Sequence, residues 1–150
     1  MKALLFLLVL WPLLGIAQKS MTFQEAQKAG IFERLDQRYK GGLNQDSTKA
    51  VFKNQSVYSR AYQEFLFGFG SFLKTQGFRW GRRVRCFNKI YFSRQGKVDY
   101  FLYSLTPGAI TQEQEAQFAK LLSEYIQTAR FKLPAPSRFS QCSPVNYGDL

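Results

Sequence analysis

The sequence predicts an α+β domain in which an antiparallel sheet of about three strands is packed by two or three helices. Two observations carry this prediction. Residues 83–105 hold two strand-like segments, rich in β-branched and aromatic residues, separated by a Gln95-Gly96 turn. Segments with apolar residues at helical spacing flank them on both sides. The 150 residues, 45% of them hydrophobic, are enough for one domain with a substantial core.

The beginning of this domain is predicted to be a helix over residues 22–39. Thr22 and Glu25 have the spacing of a capping box. In such a box the Thr22 hydroxyl accepts a hydrogen bond from the Glu25 amide, and the Glu25 carboxylate accepts one from the Thr22 amide. Gly30 is a weak point because glycine lowers helix propensity. Apolar residues then recur at helical spacing: Ile31, Leu35 and Tyr39. We treat residues 18–56 as a helical extension of a core spanning residues 57–147, within one domain over residues 18–150.

The core is predicted to follow the order helix, strand, strand, helix, strand. A helix over residues 57–75 carries an apolar stripe formed by Tyr58, Tyr62, Phe65, Phe69, Phe72 and Leu73. Strands over 83–93 and 97–105 form the hairpin, and Thr111 with Gln114 opens the next helix. A last strand spans residues 139–147, and Pro144 indicates that it lies at a sheet edge or is short.

The second strand of the hairpin is apolar on both faces. Strict alternation puts Val98, Tyr100 and Leu102 on one face and Phe101, Tyr103 and Leu105 on the other. Such a strand is either covered on both sides or exposes a patch. We expect the N-terminal helix to cover the second face.

Residues 1–17 have the pattern of a cleaved signal peptide. Lys2 precedes an apolar run over residues 3–14, and Gly15-Ile16-Ala17 supplies small residues for cleavage. The alternative is a retained anchor, but Pro12 interrupts the run, which is shorter than a spanning helix. Cleavage would leave 20 basic and 10 acidic residues, a formal charge of +10. We expect an exported chain, periplasmic or secreted, with no transmembrane helix in its mature part.

Export changes the interpretation of the two cysteines, Cys86 and Cys142. An oxidising compartment favours a disulfide between them, and two free buried thiols are the alternative. The sequence contains no His, which removes Ser-His-Asp and Cys-His nucleophile systems and His-ligated zinc. No cofactor motif and no metal-ligand spacing is visible, so we expect a non-catalytic protein without a cofactor. Asp99 is the strongest catalytic alternative, although pairing with Lys97 would also explain it.

The predicted order from residue 57 onward resembles the C-terminal domain of TonB-type energy transducers. Gly96-Lys97-Val98 is similar to the family's Gly-x-Val hairpin, and residues 130–135 (Arg-Phe-Lys-Leu-Pro-Ala) to its exit into the last strand. The resemblance covers about residues 57–147 and implies an envelope location and a protein-binding sheet edge. The sequence lacks the family's long Pro-rich spacer, so we do not expect the energy coupling of a transducer.

The strongest candidate for a binding site is a basic and aromatic segment that enters the first strand of the hairpin. Residues 78–85 contain four arginines and two aromatic residues, and Lys89 follows on the same strand. Arginine forks bind carboxylates and phosphates in bidentate fashion, and tryptophan can stack in an interface. A solvated basic turn with Trp80 packed beneath it is the alternative. The candidate residues are Arg79, Trp80, Arg82, Arg83, Arg85 and Lys89.

The charge and the aromatic content allow three kinds of ligand. A basic site would fit an acidic protein surface or an anionic lipid or glycan of the cell envelope. Nucleic acid fits the charge as well, but an exported protein rarely meets it. The alternative function is a periplasmic module that binds a lipid or glycan on an aromatic sheet face formed by Tyr91, Tyr100, Phe101 and Tyr103, although these residues would also serve as core.

Overall fold

A computed structural model describes residues 17–149 and confirms the α+β class. The chain contains β1 (Lys19–Thr22), α1 (Phe23–Lys28), α2 (Phe32–Arg38), β2 (Lys40–Gly41), α3 (Gln55–Thr75), β3 (Val84–Phe92), β4 (Val98–Leu105), α4 (Gln112–Thr128) and β5 (Phe139–Tyr147). Apart from Ala17, the predicted signal peptide lies outside the described residues.

The sheet has five strands rather than about three, in the order β1-β4-β3-β5-β2. The three predicted strands form its centre, with β3 antiparallel to both β4 and β5. The two additional strands are short and parallel to their neighbours: β1 pairs with β4, and β2 pairs with β5. Strand β1 has four residues and strand β2 has two, which is too short for an alternating pattern to be recognised in the sequence.

Helices α3 and α4 cover one face of the sheet and form the main core. Helix α3 begins two residues earlier than predicted, because the Asn54 side chain caps it by accepting a hydrogen bond from the Val57 amide. Helix α4 begins with the predicted capping box between Thr111 and Gln114. The core between the helices and the sheet contains the fully buried rings of Tyr58, Phe69, Phe92, Phe101, Phe118 and Phe139. It is therefore filled by aromatic contacts rather than hollow.

Helices α1 and α2 cover the other face, as expected, but they are two helices and not one. The backbone turns at Gly30, whose φ of +61° is readily adopted only by glycine, and α2 begins after this turn. The Thr22–Glu25 capping box at the start of α1 is confirmed. A second apolar cluster fills this side, with Ala26, Leu35 and Tyr39 packed on strand residues Tyr91 and Leu102.

A β-bulge in β4 changes which residues share a face. In β3, the adjacent residues Tyr91 and Phe92 pair with Tyr100 and Val98 of β4. Asp99, which lies between those two partners, is therefore an extra residue in β4. The strict alternation predicted for Val98 is therefore wrong: Val98 joins Phe101 in the main core. The bulge instead places Asp99 in the second layer, where it contacts Tyr39.

The predicted Cys86–Cys142 disulfide is not formed, and both thiols are free. Cys86 pairs with Val145 and Cys142 pairs with Lys89, so the cysteines are three positions apart along adjacent strands. An odd offset puts them on opposite faces of the sheet, Cys86 in the main core and Cys142 on the surface. A bridge would require β5 to leave this register.

Candidate functional site

Four of the six predicted site residues lie together at the N-terminal end of β3. Arg79, Arg82, Arg83 and Arg85 are all exposed, and we call Arg82, Arg83 and Arg85 the arginine patch. The loop that connects α3 to β3, residues 76–83, carries Arg79, Arg82 and Arg83, and Arg85 is the second residue of β3. Their exposure follows from local structure, because Val84 and Cys86 take the buried positions of the strand and leave Arg83 and Arg85 the opposite face.

Trp80, predicted as a contact residue, is instead the anchor of this loop. Its side chain is 5% exposed, and its ring stacks on that of Tyr147 with a centroid separation of 5.1 Å and an interplanar angle of 7°. Phe78 and Phe118 also contact the ring. Trp80 is therefore not accessible to a partner, as the alternative of a basic turn with a buried tryptophan anticipated.

Polar contacts hold the backbone of the loop. The amides of Trp80 and Gly81 donate to Oδ1 and Oδ2 of Asp149, each at 2.8 Å. The Gln114 side chain donates to the Arg79 carbonyl at 3.0 Å, so α4 also fixes the loop. The two amide donors hold the pKa of the Asp149 carboxyl below its usual range. The arginine patch is thus displayed by a backbone fixed from the core, from α4 and from the residues after β5.

Within residues 17–149, no hydrogen bond or ion pair involves the side chains of the arginine patch. Arg79 differs, because its guanidinium donates to the carbonyls of Phe78 and Lys74 and so caps the end of α3. Three guanidinium groups therefore lie close along the chain with their donors available to a ligand. Each presents a planar fork that matches a carboxylate or a phosphate.

Lys89, the sixth predicted residue, belongs to a different site. It lies four residues after Arg85, about 13 Å along the strand, and its ammonium is 2.7 Å from Oδ1 of Asp36 in α2. It also lies 4.9 Å from the centroid of the Phe32 ring. Lys89 therefore fastens α2 to the sheet and does not extend the arginine patch.

The catalytic alternative, Asp99, is 6% exposed and accepts a hydrogen bond of 2.7 Å from the Tyr39 hydroxyl. Burial raises the pKa of its carboxyl, while the bond from Tyr39 and the charges of Arg138 and Lys97 act in the opposite direction. Nearby, the Tyr91 hydroxyl donates to Asp36 at 2.9 Å. The carboxylates of Asp99 and Asp36 thus each accept a hydrogen bond from a tyrosine. Both bonds join the α1–α2 layer to the sheet, which is a structural role.

The outer edge of β5 is a second place where a partner could bind. Strand β2 pairs with only Phe139 and Ser140, and the Gly42 amide donates to the Ser140 carbonyl at 2.9 Å. In a strand, the backbone N–H and C=O groups of alternate residues point to the same side. Those of Cys142, Pro144 and Asn146 therefore point to the same outer edge of β5 as those of Ser140. Pro144 has no amide to donate, and the Cys142 carbonyl already accepts from the Gln141 side chain at 2.8 Å. This edge is therefore only partly available for strand addition.

The aromatic sheet residues do not form an open face. Phe101 and Tyr103 are buried against the α3–α4 layer, and Tyr91 is buried under α2, where its ring meets that of Tyr39 at 5.2 Å. Tyr100 is partly buried in the same cluster. A depression of about 870 Å³ beside the α1–α2 layer is lined mainly by polar residues of α2 and of residues 39–53.

The sequence could not have indicated Asp149, because it is an isolated acidic residue about 70 positions from the amides it binds. Across residues 17–149, no three His, Cys, Asp or Glu side chains are grouped so that they could hold a metal ion. None of the helices in the same range has the length and apolar character needed to cross a membrane. In comparisons with known proteins, no family model, no curated protein and no solved structure matches the chain.

Proposed function

We propose that this chain is an exported, non-catalytic protein of the cell envelope that binds an acidic partner protein through the arginine patch. The observation that carries the proposal is the state of Arg82, Arg83 and Arg85: exposed, and without a carboxylate partner within residues 17–149. A protein with 21 basic and 10 acidic residues attracts anionic surfaces over the screening distance, and clustered guanidinium groups supply short-range specificity.

The rigidity of the loop supports a protein partner. Ordering long side chains and a mobile loop on binding costs affinity, whereas a backbone already fixed by Trp80 and Asp149 leaves only the arginine side chains to be ordered. The same guanidinium groups would also bind phosphates of an anionic lipid or glycan, and this is the outcome that the experiment must separate from a protein partner.

The resemblance to TonB-type C-terminal domains supports an envelope location and would place a partner on a sheet edge. In this chain Pro144 and the bond from Gln141 to the Cys142 carbonyl reduce what the β5 edge offers. We therefore favour the arginine patch over the edge as the main contact.

The alternative of a lipid- or glycan-binding module would need an accessible apolar pocket. Tyr91, Phe101 and Tyr103 instead pack against neighbouring rings of the two clusters, so the predicted aromatic face does not support that function. Similarly, the engagement of Asp36 and Asp99 by tyrosines favours a structural role for both carboxylates over a catalytic one.

The test is a pull-down from solubilised envelope with residues 18–150 as bait, at low and high salt. The bait is compared with a variant in which Arg82, Arg83 and Arg85 are replaced by Glu. The control replaces Arg34, Arg60 and Arg94 by Glu, because these exposed arginines lie elsewhere and the net charge changes equally. Thermal unfolding of all three proteins checks that they are folded.

We expect a salt-sensitive protein partner that the control retains and the patch variant loses. Retention by the patch variant would contradict the assignment of the site. If no protein partner is captured and the chain binds phosphatidylglycerol vesicles, the ligand of the arginine patch is an anionic lipid and not an acidic protein.

A further inference from the structure

The loop beside the arginine patch contains an anion-binding arrangement that is already occupied by a group of the same chain. The consecutive amides of Trp80 and Gly81 converge on one carboxylate, that of Asp149, and each oxygen accepts one bond of 2.8 Å. Gly81 has a φ of +68°, and successive N–H groups that converge in such a turn form an anion-binding concavity. We call these two amides the nest.

We propose that the nest is a specific subsite for a carboxylate of the acidic partner and that Asp149 occupies it as an internal competitor. This inference rests on the proposed function and adds to it the one position where a ligand carboxylate would be held by the backbone. The bound Asp149 shows which chemical group the two amides accept, because both oxygens of a single carboxylate are used.

The surroundings of the nest favour an incoming anion. A cavity of about 100 Å³ adjoins it, lined by Gly70, Lys74, Arg79 and Trp80 together with Asp149 itself. Of the charged side chains that line this cavity, only that of Asp149 is acidic, and those of Lys74 and Arg79 are basic. A volume of this size holds about three water molecules, so a second carboxylate can approach before the first one leaves.

The position along the chain links the nest to the patch. Gly81 immediately precedes Arg82 and Arg83, so a ligand whose carboxylate replaces Asp149 brings its neighbouring acidic groups to the guanidinium forks. The patch attracts the acidic segment, and the nest fixes its register. The Trp80 ring, stacked on Tyr147, holds the loop in place when Asp149 is displaced.

A tethered competitor reduces the apparent affinity for an external ligand to the intrinsic affinity multiplied by the fraction of time for which the nest is free. If Asp149 fills the nest more than nine-tenths of the time, its removal strengthens binding by about tenfold or more. The probe is a hexa-aspartate peptide, titrated into ¹⁵N-labelled protein while the amide signals of the loop are followed. The variants are Asp149→Asn, the charge-matched control Glu33→Gln at an exposed site on α2, and the triple Glu variant of the arginine patch.

We expect Asp149→Asn to bind the peptide about tenfold or more tightly than the wild type, with the largest shifts at the Trp80 and Gly81 amides, and Glu33→Gln to resemble the wild type. Equal affinity of Asp149→Asn and Glu33→Gln would overturn the proposal. So would random-coil positions of the Trp80 signals in Asp149→Asn without peptide, because Asp149 would then be a structural clamp.

Failure of the two proposals is distinguishable. If the patch variant loses binding but Asp149→Asn gains nothing, the nest is wrong and the patch stands. If no protein in the series binds the peptide, both are wrong.

Discussion

Replacement of Tyr39 by Phe tests how the α1–α2 layer is fastened to the sheet. Tyr39 is 5% exposed, and its hydroxyl donates to Oδ2 of Asp99 at 2.7 Å. The substitution removes one oxygen and leaves the packing of the ring on Tyr91 in place. Asp99 then loses its hydrogen-bond donor while it stays buried in the β-bulge.

The expected loss of stability depends on pH. A hydrogen bond to a charged group contributes about 1.5–3 kcal/mol and a bond between neutral groups about 0.5–1.5 kcal/mol. Burial raises the pKa of Asp99 in the folded state, so stability falls as pH rises from the ordinary carboxyl range through the folded pKa. The Tyr39 bond opposes this shift, and its removal raises the pKa further. We therefore expect Tyr39→Phe to cost about 1.5–3 kcal/mol at pH 7 and about 0.5–1.5 kcal/mol at pH 3.

Urea unfolding at the two pH values measures this difference. Tyr100→Phe is the control, because the Tyr100 hydroxyl makes no hydrogen bond within residues 17–149, and it should cost little at either pH. In an Asp99→Asn background, Tyr39→Phe should cost the same at pH 3 and pH 7. An equal loss at both pH values in the presence of Asp99, or a loss at pH 7 no larger than that of the control, would refute the reasoning.

Four further predictions use the geometry of individual side chains and glycines. Gly70→Ala should stabilise the protein by about 0.5–1 kcal/mol in urea unfolding, because its new Cβ meets no atom within 4 Å on α3. Gly68→Ala should destabilise it by about 1–3 kcal/mol, because its Cβ would lie 2.9 Å from a tyrosine hydroxyl; equal effects of the two substitutions would contradict this. Phe69→Ala should cost about 3–5 kcal/mol by the same assay, since it empties a fully buried site among four other rings. A thiol reagent should modify Cys142 in the native protein and reach Cys86 only on unfolding. Cys86 is buried, and burial raises the pKa of its thiol to about 12. If neither cysteine reacts in the native protein, the two thiols are joined in a disulfide.

The elements with long periodic patterns were predictable. The last strand, predicted over residues 139–147, is Phe139–Tyr147, and the hairpin strands agree to within one residue at each end. Capping residues marked the starts of α1 and α4, because a side chain three residues from its partner amide is set by local geometry. The arginine patch was visible for the same reason, since its members are neighbours along the chain.

Features that depend on a distant partner were not predictable. Strands β1 and β2 exist only because β4 and β5 offer them a hydrogen-bonding edge. The bulge at Asp99 shifts the alternation of β4 by one residue, which no count of apolar positions reveals. Asp149 became part of the candidate site only because the end of β5 lies beside the loop that holds Trp80.

The sequence by itself therefore determines the local structure, the basic charge and the set of reactive groups of this chain. These follow from the fixed periods of helices and strands and from simple counting. Which groups meet was decided by the tertiary structure: Lys89 is taken by Asp36, Trp80 is buried, and Cys86 and Cys142 lie on opposite faces. The physical reason is that a strand register fixes both the position and the face of every residue, and this register is set by packing across the whole sheet.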